Sequence, residues 1–392
     1  MKTNPVLYRC AVVLTLVLAG LAPLVLGGEL EKDTLFQAMG DELARSVSKL
    51  KLQELESPFY LEYTVQDCEW LSIDASFGAL LKSDRDRTRF LSVDLRVGDY
   101  TFDNTNYIGG GMRDLAPRVV NLVTEDSYDA LRREIWLATD EAYKRALEML
   151  SRKRAYVKGR TIEERPDDLS REEPFTYEEP GAHLTINQED WEGRVKVVSA
   201  ILKRYPQISA SKAQFRAITR DQYFLNNEGS RYRKADQLLS LEVTASTQAK
   251  DGMKLSDFVT FYSRSLDAFP SASQIARQVE ELAESLTRLA EAAPAEPYIG
   301  PVLFQGQASA EFFKQLLAKN LSNPRTPLFE QEDLAASFEG SKLRGKLNRK
   351  ILPGFMNAVD DPTKRSWNGT PLIGHYPVDD DGVPAQPVKV VE

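Results

Sequence analysis

The sequence predicts an α+β fold of more than one domain, with antiparallel sheets flanked by long amphipathic helices. Three observations lead there. Apolar residues recur every three or four positions over Glu31–Leu52, Asp126–Arg154 and Ser271–Leu289, the spacing of a helix with one buried stripe. Between the first two, Leu91-Ser92-Val93-Asp94-Leu95-Arg96-Val97 alternates with a period of two, as a half-buried strand does. Several strands follow one another through short polar turns, which makes neighbours antiparallel.

The first helix carries Phe36, Met39, Leu43, Val47 and Leu50 on one face. Phe59–Val65 and Trp70–Asp74 are rich in β-formers and precede Leu91–Val97, with Asp84–Arg89 read as a charged turn. Gly109-Gly110-Gly111 reads as a flexible loop, since no strand-then-helix pattern supports a phosphate cradle. These segments form an expected N-terminal α+β domain, 31–115. A central α+β domain, 120–270, opens with a helix bearing Leu131, Ile135, Ala138, Ala142, Ala146 and Leu150. An acidic, proline-bearing stretch, 160–181, reads as a solvated loop because its spacing matches no calcium-binding loop. The helix Gln188–Lys203 and strands Lys212–Thr219, Gln222–Leu225, Leu239–Ala249 and Phe258–Ser265 complete it, with turns at Asn227-Glu228-Gly229 and Asp251-Gly252.

In the last part, 271–392, Ser271 caps a helix whose stripe is Ile275, Val279, Leu282, Leu286 and Leu289. Val302-Leu303-Phe304 reads as a short strand, followed by a helix from Ala308 that Asn323-Pro324 ends.

Lys2 and Arg9 precede the apolar run Cys10–Leu26, and Val25-Leu26-Gly27 offers a small residue for cleavage, so residues 1–27 read as a secretory signal peptide and the protein as exported, periplasmic or extracellular. An uncleaved membrane anchor is the alternative; without it, no stable membrane span is expected. Cleavage would leave Cys68 as the one cysteine, so stability must come from burial rather than a disulfide. With 42% hydrophobic residues the chain can build ordinary cores. A formal net charge of −8 argues against nucleic acid as a partner. The basic run Lys342, Arg344, Lys346, Arg349 and Lys350 is a local exception, read as a solvated face.

The ordered set formed by the helix–strand–helix of 271–321, Leu343-Arg344-Gly345-Lys346-Leu347, Val359-Asp360-Asp361-Pro362 and Val378-Asp379-Asp380-Asp381-Gly382-Val383-Pro384 resembles the TldD/PmbA family, also labelled modulators of DNA gyrase. Asn226-Asn227-Glu228-Gly229-Ser230 also fits. The resemblance implies a metallopeptidase-related protein. Peptidase members carry H-E-x-x-x-H on the helix after the strand, where two imidazoles hold zinc and the Glu activates its water. Aligned on Phe312-Phe313, this sequence has Lys314, Gln315 and Lys319 there, a vestigial site with no catalytic residue and no metal ligand. The family's third ligand, a C-terminal Cys, has no counterpart, and the chain stops at Val388–Glu392 in what reads as mid-strand, so the resemblance implies a fragment whose β-rich C-terminal domain, 271–392, is incomplete.

His183 and His375 are the only histidines, and neither forms a metal or Ser-His-Asp motif. Asp360-Asp361 and Asp379-Asp380-Asp381 read as structural turns, and Asn368-Gly369-Thr370 as a chance glycosylation match. The resemblance therefore implies a pseudo-enzyme: a non-catalytic subunit, homo- or heterodimeric with a TldD-like chain, that handles extended peptide or unfolded protein. Two alternatives remain open, an exported peptide-binding or scaffold protein without a peptidase partner, and an active metallopeptidase with a displaced zinc site built from His183, His375, Cys68 or carboxylates.

Overall fold

Long strands dominate the computed structural model, which describes residues 33–52, 55–109, 119–160, 165–321, 325–338 and 340–392. The expected signal peptide lies outside the described residues, as do Gly110 and Gly111. In chain order the main elements are α1 (Thr34–Lys49), β1 (Tyr60–Ser76), β2 (Ala79–Arg96), β3 (Tyr107–Ile108), β4 (Val119–Leu122), α2 (Tyr128–Val157) and β5 (Thr176–Glu178). There follow α3 (Gln188–Ala200), β6 (Ala210–Asn226), β7 (Arg231–Gln248), β8 (Lys254–Ser263), α4 (Ala272–Glu291) and α5 (Gly306–Phe313). The fold is α+β.

One seven-stranded sheet organises the chain in the order β4-β2-β1-β6-β7, with β5 and β8 both pairing with β7. It draws strands from both of the expected units 31–115 and 120–270. The central pairs are antiparallel, and their registers place Leu61, Tyr63, Val65, Asp67, Glu69, Leu71 and Ile73 of β1 on the same face as Asp221, Thr219, Ala217 and Phe215 of β6. Along this front face the composition changes twice. At one end Leu61, Tyr63, Val65, Leu91, Tyr223 and Leu225 pack beneath α1 and α2. At the other, Leu71, Ile73, Phe215, Leu239 and Leu241 pack beneath α3 and α4, with Trp191 stacked on Phe215 at 3.7 Å. The middle of the face is polar.

Two sequence expectations are corrected. Asp84–Arg89 is not a turn but part of β2, and Phe59–Val65 and Trp70–Asp74 belong to a single β1. The reversal occurs at Phe77-Gly78, where both residues take positive φ (46° and 78°), the backbone that a two-residue hairpin needs. The charges of β2 are tolerated because Arg87 and Arg89 meet Asp67 on β1. Second, Val302-Leu303-Phe304 has no strand partner among the described residues and is exposed.

The cap of α4 is as the sequence predicts. Ser271 and Gln274 form a reciprocal capping box, satisfying two of the donors a helix start leaves unpaired. The turn Asn227–Gly229 between β6 and β7 is also found, with Gly229 at φ 102°.

On the back face the sheet receives the C-terminal segment. Phe224 and Tyr232, stacked at 4.8 Å, enclose Val378. Gly382 at φ 83° lies so close to Phe224 that a Cβ there would sit 2.8 Å from its ring. Beyond these contacts, short strands Ala358–Asp360 and Val388–Val391 pair with each other. No helix among the described residues is long and apolar enough to cross a membrane.

Candidate functional site

The helix that begins with α5 changes its winding where the resemblance places the vestigial site. After Phe313, Lys314–Ala318 form a π turn, and the helix closes with Lys319–Leu321. The N–H of Lys319 bonds to the carbonyl of Lys314, five residues back. In an α-helix residues five apart point about 140° away from each other; a π turn brings them to nearly the same side. This chain therefore has the backbone that a five-residue ligand spacing requires. Its side chains do not suit zinc. Lys314 pairs with Glu311 at 3.2 Å, and Gln315 donates to the same carboxylate at 2.6 Å. Two ammonium groups and an amide supply neither imidazole nor carboxylate to a metal.

None of the other candidates lies on this helix, and the two histidines line different cavities. His183 lines the polar middle of the front face, whereas His375 sits behind the sheet, its Nδ1 3.1 Å from the carbonyl of Leu372. Cys68 is buried on β1, and burial pushes its thiol up despite the nearby Arg220 guanidinium. Among the described residues no three His, Cys, Asp or Glu side chains are grouped to hold a metal ion.

The front saddle is a cavity of about 290 Å³ between the two helix pairs. Arg89, 3% exposed, donates Nε to Asp67 at 2.9 Å, Nη2 to Asp126 at 2.8 Å and Nη1 to the carbonyl of Val123 at 3.1 Å. Arg87 adds a bidentate pair to Asp67. Burial raises the Asp67 carboxyl, but the hydrogen bonds from Arg87 and Arg89 outweigh it and hold the group below its usual range. Arg233 bridges to Asp221 at 3.0 Å, and Asp221 also accepts from the N–H of Ala182 at 2.8 Å. Matched charges of this kind fix strands and helices together rather than perform proton transfer.

The back face holds a perturbed acid that sequence reasoning missed. Glu62 of β1 accepts from Tyr60 at 2.7 Å and from Thr64 at 3.2 Å. Burial first, and then the charge of Asp94, raise its carboxyl from 4.5 to about 8. Asp94 is its direct cross-strand neighbour, so only the pairing register reveals it. The nearby acidic turn is structural, as expected from its sequence: Asp379 accepts from the N–H groups of Asp381 at 3.0 Å and Val383 at 2.8 Å. Asp380 reaches Lys234 at 3.0 Å and Gln222 at 3.2 Å.

Among the described residues nothing pairs with the outer edge of β8. The N–H of Ala249 bonds to Met253 across the β7–β8 turn, which fixes the alternation of the ladder. By that alternation Leu255, Asp257, Val259 and Phe261 face β7, and Ser256, Phe258, Thr260 and Tyr262 turn their backbone groups outward. The Phe258 N–H accordingly bonds to the side chain of its neighbour Asp257 at 2.9 Å. Beside this edge, Asp257, Phe258 and Val259 and the α4 residues Gln274, Arg277 and Glu281 line a groove of about 450 Å³. Apart from the Phe258 N–H, the outward backbone groups of β8 have no partner among the described residues, the condition that strand addition requires.

Residues 298–392, which include Lys314, Gln315 and Lys319, match the family model of the PmbA/TldA metallopeptidase C-terminal domain. Over these residues the chain is similar to the TldD/PmbA family. Solved structures agree on the fold. A protein described as a modulator of DNA gyrase from Thermotoga maritima is 13% identical, with a TM-score of 0.53 over 93% of this chain and 68% of that one. A second so described, from Bacteroides thetaiotaomicron, is 11% identical, with a TM-score of 0.55 over 92% and 69%. TldE from Thermococcus kodakarensis is 14% identical, with a TM-score of 0.53 over 91% and 67%. No curated protein matches the chain. At these identities each structural likeness speaks for the fold alone, and the family match is confined to residues 298–392.

Proposed function

We propose that this TldD/PmbA-family chain is a subunit without metallopeptidase chemistry of its own, which pairs with an H-E-x-x-x-H member and helps hold extended polypeptide. The observation that carries the proposal is the family's C-terminal domain with Lys314, Gln315 and Lys319 on the π turn. The backbone suited to the motif is retained there while its donor atoms are replaced. Likeness to TldE supports a paired subunit. The open edge of β8 supports a role for extended chains, because strand addition takes its affinity from backbone hydrogen bonds and makes little demand on sequence. The charged N-terminus followed by the apolar run Cys10–Leu26 supports export, so the partner is sought in the same compartment.

The test is recovery of the tagged chain from its native cells, with the co-purifying proteins identified by mass spectrometry. An H-E-x-x-x-H chain in about one-to-one ratio is the expected result. Recovery of the protein alone, or only with itself, would replace this reading with a peptide-binding or scaffold role independent of a peptidase, which the β8 edge equally favours.

A further inference from the structure

The segment Ser341–Phe355 contains Lys342, Arg344, Lys346, Arg349 and Lys350 and no acidic residue, in a chain whose formal net charge is −8. It folds as overlapping turns: Arg344 N–H to Ser341 at 3.0 Å, Lys346 N–H to Leu343 at 2.9 Å, and Arg349 N–H to Lys346 at 2.9 Å. Its base is fixed, because the Ser341 hydroxyl donates to the carbonyl of Asn320 and accepts from the N–H of Leu343 at 3.0 Å. All five cations are exposed, and none forms an ion pair with another described residue. Elsewhere the fold matches its charges closely, as Arg87, Arg89 and Arg233 show. Two large apolar side chains stand out beside these cations, Leu347 at 87% and Phe355 at 85% exposure.

We propose that this loop is a peripheral docking surface for an anionic membrane. Unpaired Lys and Arg side chains are drawn to an acidic lipid surface, and each contributes appreciably within a Debye length. Leu347 and Phe355 supply what a purely electrostatic contact lacks, apolar groups that enter the boundary between headgroups and acyl chains. That pairing of cations with protruding apolar groups favours lipid over nucleic acid, whose phosphates offer such side chains nothing comparable. The surface is peripheral and needs no spanning segment. It is also independent of whether the chain partners a peptidase.

The full chain is sedimented with phosphatidylcholine vesicles and with vesicles of which roughly one-third is phosphatidylglycerol. The neutral vesicles set the baseline for any contribution of the apolar N-terminus. Expected is at least ~10-fold stronger binding to the anionic vesicles, falling as salt rises from about 0.05 M to about 0.3 M. Reversing charge at Lys346→Glu, Arg349→Glu and Lys350→Glu together removes the preference. Leu347→Ser with Phe355→Ser weakens binding several-fold; all five positions are exposed, so the fold is retained. Equal binding to both vesicles, indifference to the charge reversal, or indifference to the apolar pair would overturn the proposal. Binding of a DNA duplex that survives the apolar substitutions would assign the loop to nucleic acid instead.

Discussion

Lys314 and Lys319 are joined through the main chain by a five-residue hydrogen bond, so their side chains share one side of the helix. Replacing Lys314→His, Gln315→Glu and Lys319→His should therefore create a weak two-imidazole zinc site. Calorimetric titration with zinc should show binding in the triple variant and none in the parent chain. A triple variant that takes up no zinc would remove the support for assigning the family motif to these positions.

Lys153 and Asp168 are both almost fully buried, and Lys153 also donates to the carbonyls of Asp103 and Thr105, each at 2.8 Å. Arg325 from the C-terminal part adds a 3.1 Å contact to the same Asp168. Lys153→Met strips two buried carbonyls and a buried carboxylate of a donor, so a loss of about 3 kcal/mol is expected by denaturant titration. Asp168→Asn in that background should cost much less than it does alone, because the pair is coupled. Additive losses would show that the two act separately.

The raised Glu62 carboxyl makes a signed prediction. In the unfolded chain it titrates near 4.5, and in the folded chain near 8, so between these values the native state holds the extra proton. This contribution to stability is complete below about pH 4.5 and is lost as pH rises through about 8. Glu62→Gln, which keeps the acceptor from Tyr60 but cannot ionise, should gain on the order of 2 kcal/mol relative to the parent at pH 9, allowing for partial solvent access. Parallel stability curves for the two proteins from pH 5 to 9 would contradict the shift.

At the open edge, Thr260→Pro removes an outward N–H and leaves the β7 ladder whole, whereas Val259→Pro removes a ladder bond. The first should keep native stability within about 1 kcal/mol, and the second should cost about 3 kcal/mol or more. If extended chains add to β8, Thr260→Pro should also abolish binding of a labelled, reduced and alkylated polypeptide. Unchanged binding would move that activity away from this edge.

Local chemistry made much of the architecture legible. The Ser271 cap, the Asn227–Gly229 turn and the stripe of α4 are each specified by residues close together in sequence. The reversal at Phe77-Gly78 was not, because a Phe at positive φ carries no turn signature. Asp84–Arg89 looked like a turn because the carboxylate that accommodates its arginines is Asp67 on another strand. Val302–Phe304 has the composition of a strand, but a strand also needs a neighbour. At the site, the residue types at 314, 315 and 319 could be read directly, while the π turn beneath them could not. The titration of Glu62 depends on Asp94 across the ladder, a relationship set by register alone.

The central sheet also dictates a timetable for folding. The N–H of Leu61 bonds to the side chain of Asn227, 166 residues further on. During synthesis β1 and β2 can close their hairpin early, yet the inner edge of β1 must wait exposed until β6 has left the ribosome. For that interval the nascent chain offers a long, apolar strand edge to any other chain nearby. Low yield and co-translational aggregation are therefore the expected hazards of producing it, and holding chaperones that shield β1 should relieve them more than agents that stabilise the finished fold.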